Sequence, residues 1–116
     1  MDENDRRLME LFAAISRIPR CSKNEEAIAR WFEAWAAERG FRARRDGAGN
    51  LLIAVPPAPG WERAPGVILQ GHLDMVCEKT PASPHDFTRD PIRLIREGDW
   101  VRADGTTLGA DNGVAL

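Results

Sequence analysis

Apolar residues recur every three or four positions twice in the first forty residues, then shift to shorter, alternating runs. From about Asp5 to Arg17, Leu8, Leu11, Phe12 and Ile15 share one helical face, and Arg6, Arg7, Glu10 and Arg17 fall mostly off it. This spacing predicts an amphipathic helix stopped by Pro19. Ser22-Lys23-Asn24-Glu25 has the form of a capping box, in which the hydroxyl and the carboxylate each satisfy an orphan amide. A second helix is expected from about Lys23 to Arg39, with Ala27, Ile28, Trp31, Trp35 and Ala36 inward and Gly40 as its stop. Phe41 to Arg45 alternates apolar with basic residues. Asp46-Gly47-Ala48-Gly49-Asn50 is turn chemistry and Leu51 to Val55 can return as a strand, which predicts a hairpin. Pro56-Pro57-Ala58-Pro59-Gly60 must be loop. Val67 to Leu69, bounded by Gly66 and Gly71, suits a short strand buried on both faces. Pro91 to Arg96 and Trp100 to Ala103, parted by Glu97-Gly98-Asp99, form a second hairpin pattern. Two helices followed by strands and hairpins predict an α/β fold with a mixed sheet.

Composition narrows the function classes. The chain has 116 residues and a net charge of −2, so it is one globular unit at most, without the basic bias that nucleic acid or anionic membrane would need. No apolar run approaches the roughly 20 residues of a membrane helix, and Met1 to Arg7 is too charged and acidic for a signal peptide. Cys21 and Cys77 are too few for a disulfide framework, and neither belongs to a C-x-x-C pair. The expectation is two small, reduced side chains in a cytoplasmic protein. Trp31 and Trp35 lie one turn apart, but without a basic groove they suit core packing better than base stacking. Arg42, Arg44 and Arg45 lack a glycine-rich loop and fit a solvated strand face better than a phosphate site.

The chemistry concentrates in two stretches. Gly71-His72-Leu73-Asp74 stands where the Val67–Leu69 strand should end, the edge at which open α/β sheets place ligands. Residues i and i+2 of extended chain point the same way, so His72 and Asp74 can share a cavity. Neutral imidazole is a good zinc ligand, and Asp74 can fix its tautomer. Alone, such a pair is more often a strand-end His beside a solvated Asp. The second stretch runs from Asp104-Gly105-Thr106-Thr107 through Gly109-Ala110-Asp111-Asn112-Gly113 to Leu116. An EF-hand fails, because Ala115 stands where the loop requires Glu. A P-loop fails for want of a Lys. A glycine-flexed turn remains, which can present Asp111 against a helix start.

These residues carry a resemblance. Leu69-Gln70-Gly71-His72-Leu73-Asp74-Met75-Val76 is similar to the first metal motif of aminoacyl-histidine dipeptidases, within the di-zinc co-catalytic exopeptidases. Cys77-Glu78-Lys79, His85-Asp86-Phe87, Asp90-Pro91-Ile92 and Gly105 to Gly113 resemble the same branch in the same order, as does Ile18-Pro19-Arg20 with Ser22 to Glu26. The resemblance spans essentially the whole chain. It implies an α/β fold that is the N-terminal part of a zinc-exopeptidase catalytic domain, incomplete over 1–116. It implies two zinc ions per active site in the full-length protein, with cobalt or manganese as substitutes. His72 would bind one zinc, Asp111 would bridge both, and Asp74 would be the catalytic carboxylate behind His72. His85 inherits no role. The implied reaction is hydrolysis of dipeptides or short peptides by a zinc-activated water, in a full-length protein that is a homodimer without nucleic-acid or membrane partners.

The same resemblance puts the general-base glutamate, the other ligands and an inserted dimerisation domain beyond Leu116. The expectation for the chain alone is weak zinc retention and no peptidase activity. A metallo-aminoacylase or tripeptidase is the alternative within this chemistry. A non-catalytic binding or assembly protein derived from such an enzyme is the alternative outside it.

Overall fold

The computed structural model describes all residues, Met1–Leu116. In chain order the elements are α1 (Glu3–Ser16), α2 (Glu26–Glu38), β1 (Arg42–Arg45), β2 (Leu51–Ala54), β3 (Leu94–Glu97), β4 (Trp100–Ala103) and a single turn, α3 (Ala110–Gly113). They divide into two compact units, Met1–Ile28 with Gly71–Leu116, and Ala29–Gln70.

In the first unit, α1 is capped by Asp2, whose carboxylate accepts from the amide of Asp5 at 2.8 Å. Its inner face buries Phe12, Ile15 and Ser16. Ile28, Met75 and Ile92 are also buried, each such side chain contributing about 1.5–3 kcal/mol when fully removed from water. The amide of Ile92 donates to the carbonyl of Ser16 at 2.9 Å, so the chain just after Pro91 is laid against the end of α1. The turn α3 sits against the same helix. A Cβ built on Gly113 would lie 3.2 Å from Phe12 and 3.4 Å from Ile15, so the bare glycine eases the close approach of the two elements.

In the second unit, α2 carries Trp31 edge-on to Phe32 at 5.0 Å, and Trp35 packs on Phe41 at 6.0 Å with the Arg39 guanidinium 4.1 Å above it. The two tryptophans therefore serve packing. β1 and β2 pair antiparallel from Arg42↔Ala54 to Arg45↔Leu51. Their turn is closed by Asp46, whose carboxylate accepts from the amides of Ala48 and Asn50, each at 2.9 Å, and from the Asn50 side chain at 2.8 Å. These bonds, the Asn50 side chain first, hold the Asp46 carboxyl below the ordinary aspartate value. Arg45 pairs with Glu33, and Arg42 and Arg44 face solvent.

The α/β character and both hairpins stand where the pattern places them. Four features differ, each for a physical reason. The strands form two separate antiparallel ribbons, β1-β2 and β3-β4, not one mixed sheet, because no third strand bridges them. Val67, Ile68 and Leu69 are 83%, 88% and 92% exposed and form no strand. Their composition suits a buried strand, but a strand needs a neighbour for its amides and carbonyls, and no segment pairs with them here. Ser22 does not cap α2, which begins at Glu26. Its hydroxyl donates instead to the Asp74 carboxylate, a charged acceptor and so a stronger one, while Glu25 accepts from the amide of Lys23 at 2.7 Å.

The fourth difference is covalent. Cys21 and Cys77 are paired in a disulfide, with Cα atoms 5.6 Å apart, and no cysteine is free. A parallel bridge between Cys21 and Met75 makes this possible. The amide of Met75 donates to the carbonyl of Arg20 at 2.9 Å, and that of Ser22 to the carbonyl of Met75 at 3.3 Å. Laid side by side in this way, the two segments bring the thiols within bonding reach.

Candidate functional site

His72 and Asp74 leave the parallel bridge on its Met75 side. The His72 Nδ1 lies 3.0 Å from the Asp74 Oδ1 and 3.0 Å from the Asp74 carbonyl. The same-side placement expected of residues two apart in extended chain is what the geometry delivers. On its other edge, the His72 Nε2 lies 3.1 Å from Asp111 Oδ1, bringing together residues 39 positions apart. The link is reinforced at the main chain, where the amide of His72 donates to the Asn112 side-chain oxygen at 2.8 Å. Gly71 leaves the room for that amide side chain, since a Cβ there would collide with it.

Asp111 is not held at a regular helix start. α3 is one turn long, Asp111 has φ −91° and ψ 106°, and its side chain is 95% exposed. The glycine-rich stretch does supply a turn, through Gly109 at φ +79°, but orientation comes from His72 and not from a row of helix amides.

Both imidazole nitrogens face a carboxylate, and only the doubly protonated ring can donate to both. The contacts with Asp111, first, and Asp74, second, accordingly raise the His72 pKa. Asp74 is pulled the other way, below the ordinary aspartate value, by the Ser22 hydroxyl first and then by His72. The donor set also suits a metal. A tetrahedral zinc with ligand bonds of about 2.0–2.1 Å needs its nitrogen and oxygen donors about 3.3 Å apart. The Nε2 and Asp111 Oδ1 stand 3.1 Å apart. A cation would replace the Nε2 proton, and the Nδ1 proton would stay on Asp74. No group of three or more His, Cys, Asp or Glu side chains is arranged to hold a metal ion; the two donors that face each other are His72 Nε2 and Asp111, with Asp74 on the far side of the ring. His85 takes part in none of these contacts. It stands edge-on to Phe87 at 4.5 Å, and its carbonyl accepts from Lys79 at 2.7 Å.

Three residues to which the sequence assigns no role at the site complete the arrangement. Ser22 holds the far oxygen of Asp74, Asn112 holds the His72 backbone, and Arg20 lies beneath both segments. Ser22 has the look of a helix cap, while Arg20 and Asn112 stand inside the stretches that carry the resemblance without a role of their own.

Similarity to known proteins agrees with this frame. No family model matches the chain. It is 49% identical over 109 residues to the cytosol non-specific dipeptidase of Escherichia coli K12, covering 94% of this chain and 22% of that protein. It is 26% identical over 122 positions to the uncharacterized protein YqjE of Bacillus subtilis 168, covering 97% of this chain and 29% of that one. The crystal structure of aminoacylhistidine dipeptidase from Vibrio alginolyticus superposes with a TM-score of 0.89 at 51% identity, over 93% of this chain and 22% of that one. Over nearly its whole length, then, the chain is similar to the aminoacyl-histidine and non-specific dipeptidases, and it spans about a fifth of their length.

Proposed function

We propose that these residues supply one side of the metal centre of a dipeptidase that hydrolyses dipeptides or other short peptides. The single observation that carries this reading is the chain of contacts Asp74–His72–Asp111. A carboxylate fixes one imidazole nitrogen, the other nitrogen faces a second carboxylate, and that second carboxylate has its remaining oxygen open to solvent. The two curated or solved dipeptidases that the chain resembles support the reaction class.

In this reading Asp74 keeps the His72 Nδ1 proton in place, so that Nε2 presents its lone pair, and Ser22 stops Asp74 from rotating away. Asp111 offers one oxygen on the His72 side and a second beyond it, the disposition of a bridging carboxylate. Zinc, when bound, supplies an acidified water and a Lewis acid for the peptide carbonyl. A catalytic zinc keeps about three protein ligands, so the remaining ligands and the general base come from outside these 116 residues. Cobalt or manganese fits the same donors. The relative's own description as cytosolic supports a cytoplasmic setting. The Cys21–Cys77 pair would then sit in a compartment that normally keeps thiols reduced.

The test uses the gene product as cells make it. Its intact mass would be read and its hydrolysis of an Xaa-His dipeptide measured, with chelator and then with zinc restored. Activity lost to chelator, recovered with zinc and abolished by His72→Ala or Asp111→Asn is the expected result. Hydrolysis that ignores both the chelator and His72→Ala overturns the proposal.

A further inference from the structure

Arg20 is 1% exposed, yet no carboxylate faces it closely. Its hydrogen bonds all go to main-chain carbonyls. One terminal nitrogen donates to Leu73 at 3.1 Å and reaches Asp74 at 3.4 Å, and the other donates to Gly109 at 2.7 Å. Leu73 stands between His72 and Asp74, and Gly109 lies two residues before Asp111. The partners are 53 and 89 positions away in sequence. Two glycines make room for the guanidinium, since a Cβ at either Gly109 or Gly113 would come within 2.7 Å of it.

Burying a full positive charge is costly, and a packed apolar side chain would fill the same volume without that cost. Burial does weaken the group's hold on its proton, opposed by the charge of Asp74. What the guanidinium offers in return is geometry. Its planar fork presents several donors at fixed angles, so it can seize two strands of backbone at once and hold their spacing. A lysine's single ammonium cannot match that.

The geometry points to Arg20 as a positioning residue that sets the separation of His72 from Asp111 by clamping the two segments that carry them. The inference deepens the proposed metal centre and rests on it for its functional meaning, but the clamp is testable by itself.

The experiment compares wild type, Arg20→Lys, Arg20→Met and the exposed control Arg17→Met in the intact protein, uniformly labelled with carbon-13 and nitrogen-15. In wild type, the Arg20 guanidinium protons should exchange slowly and show couplings across hydrogen bonds to the Leu73 and Gly109 carbonyls. Fast-exchanging, uncoupled protons overturn the inference whether or not any variant folds. In Arg20→Lys, nuclear Overhauser contacts between His72 and Asn112 should vanish while those between Cys21 and Met75 persist, and zinc affinity should fall roughly 10- to 100-fold. A merely structural role would move all these contacts together or none. Folded Arg20 variants that keep both the His72–Asn112 contacts and wild-type zinc affinity overturn it. If wild type takes up no zinc but the contacts respond as stated, the metal reading falls and the clamp stands. If zinc binds and both substitutions leave its affinity and the His72–Asn112 contacts unchanged, the clamp falls and the metal reading stands.

Discussion

The unit Ala29–Gln70 and the unit built from Met1–Ile28 and Gly71–Leu116 are held together by opposite means. Within Ala29–Gln70, the second unit, polar and aromatic ties join near neighbours in sequence. Asp46 closes its own turn with Asn50, Trp35 meets Phe41, and Glu33 meets Arg45 twelve positions on. In the first unit, the defining ties reach across the chain. Ser22 meets Asp74 over 52 positions, Cys21 meets Cys77 over 56, and Arg20 meets Gly109 over 89. Local ties form early and cost little loop entropy, whereas distant ones must close long loops before they contribute. The candidate site lies wholly in the unit that depends on distant ties.

The largest expected effect separates the two units. Reducing the disulfide, or replacing Cys21 and Cys77 by Ser, reopens a loop whose closure is worth about 4 kcal/mol by chain entropy. Hydrogen exchange should then rise in the first unit's amides, Met75 and Ile92 among them, and remain unchanged in β1 and β2. Equal loss in both units would break the comparison. Next comes Gly109→Ala. It places a Cβ 2.7 Å from the Arg20 guanidinium and 2.8 Å from the Met75 sulfur, at a φ of +79° that disfavours any side chain. Overpacking of this kind costs about 1–3 kcal/mol, and denaturant titration should register it in the first unit alone.

Asp46→Ala is the mirror experiment and should loosen only the β1-β2 turn, read as faster exchange at Asn50 and its neighbours. The same turn should be acid-sensitive. Because its carboxyl is held below the ordinary aspartate value of 3.8, its contribution is complete above that value and disappears as pH falls through the lowered one. Protection of those amides that outlasts acidification would exclude Asp46 as the closing group. The smallest effect belongs to Ile68→Lys. Its side chain is 88% exposed, so stability should change by no more than about 0.5 kcal/mol. A large loss in the same assay would mean that Val67–Leu69 finds a partner in solution.

How much of this could be read from the residues follows the same division. Helix α1 and both hairpins are written in periods of 3.6 and 2, and local turn chemistry sets their ends. His72 and Asp74 could be paired because two-residue spacing in extended chain is itself a local rule. Asp111 could be joined to them only by resemblance, since nothing in its spacing encodes the contact with His72. The disulfide was unreadable because it depends on the parallel bridge of Cys21 with Met75, a pairing between segments with no shared pattern. Ser22 was misassigned because one hydroxyl can cap a helix or bind a distant carboxylate, and only the folded chain offers Asp74. At Val67–Leu69 the apolar run suggests a buried strand, but composition supplies no neighbour for its amides and carbonyls, and the run stays exposed and unpaired.

The disulfide also changes what kind of object the polypeptide is. Joining Cys21 to Cys77 makes the chain between them a closed ring, with the helix, the β1-β2 hairpin and the exposed run from Pro56 to Gln70 all inside it and two linear arms outside. A protease that cuts once in that exposed run therefore yields no free fragment. The nicked molecule keeps its mass, apart from one added water, and separates into two pieces only when a reductant is added. Between Cys21 and Cys77 one severed peptide bond is a scar, and it takes a second cut to release anything.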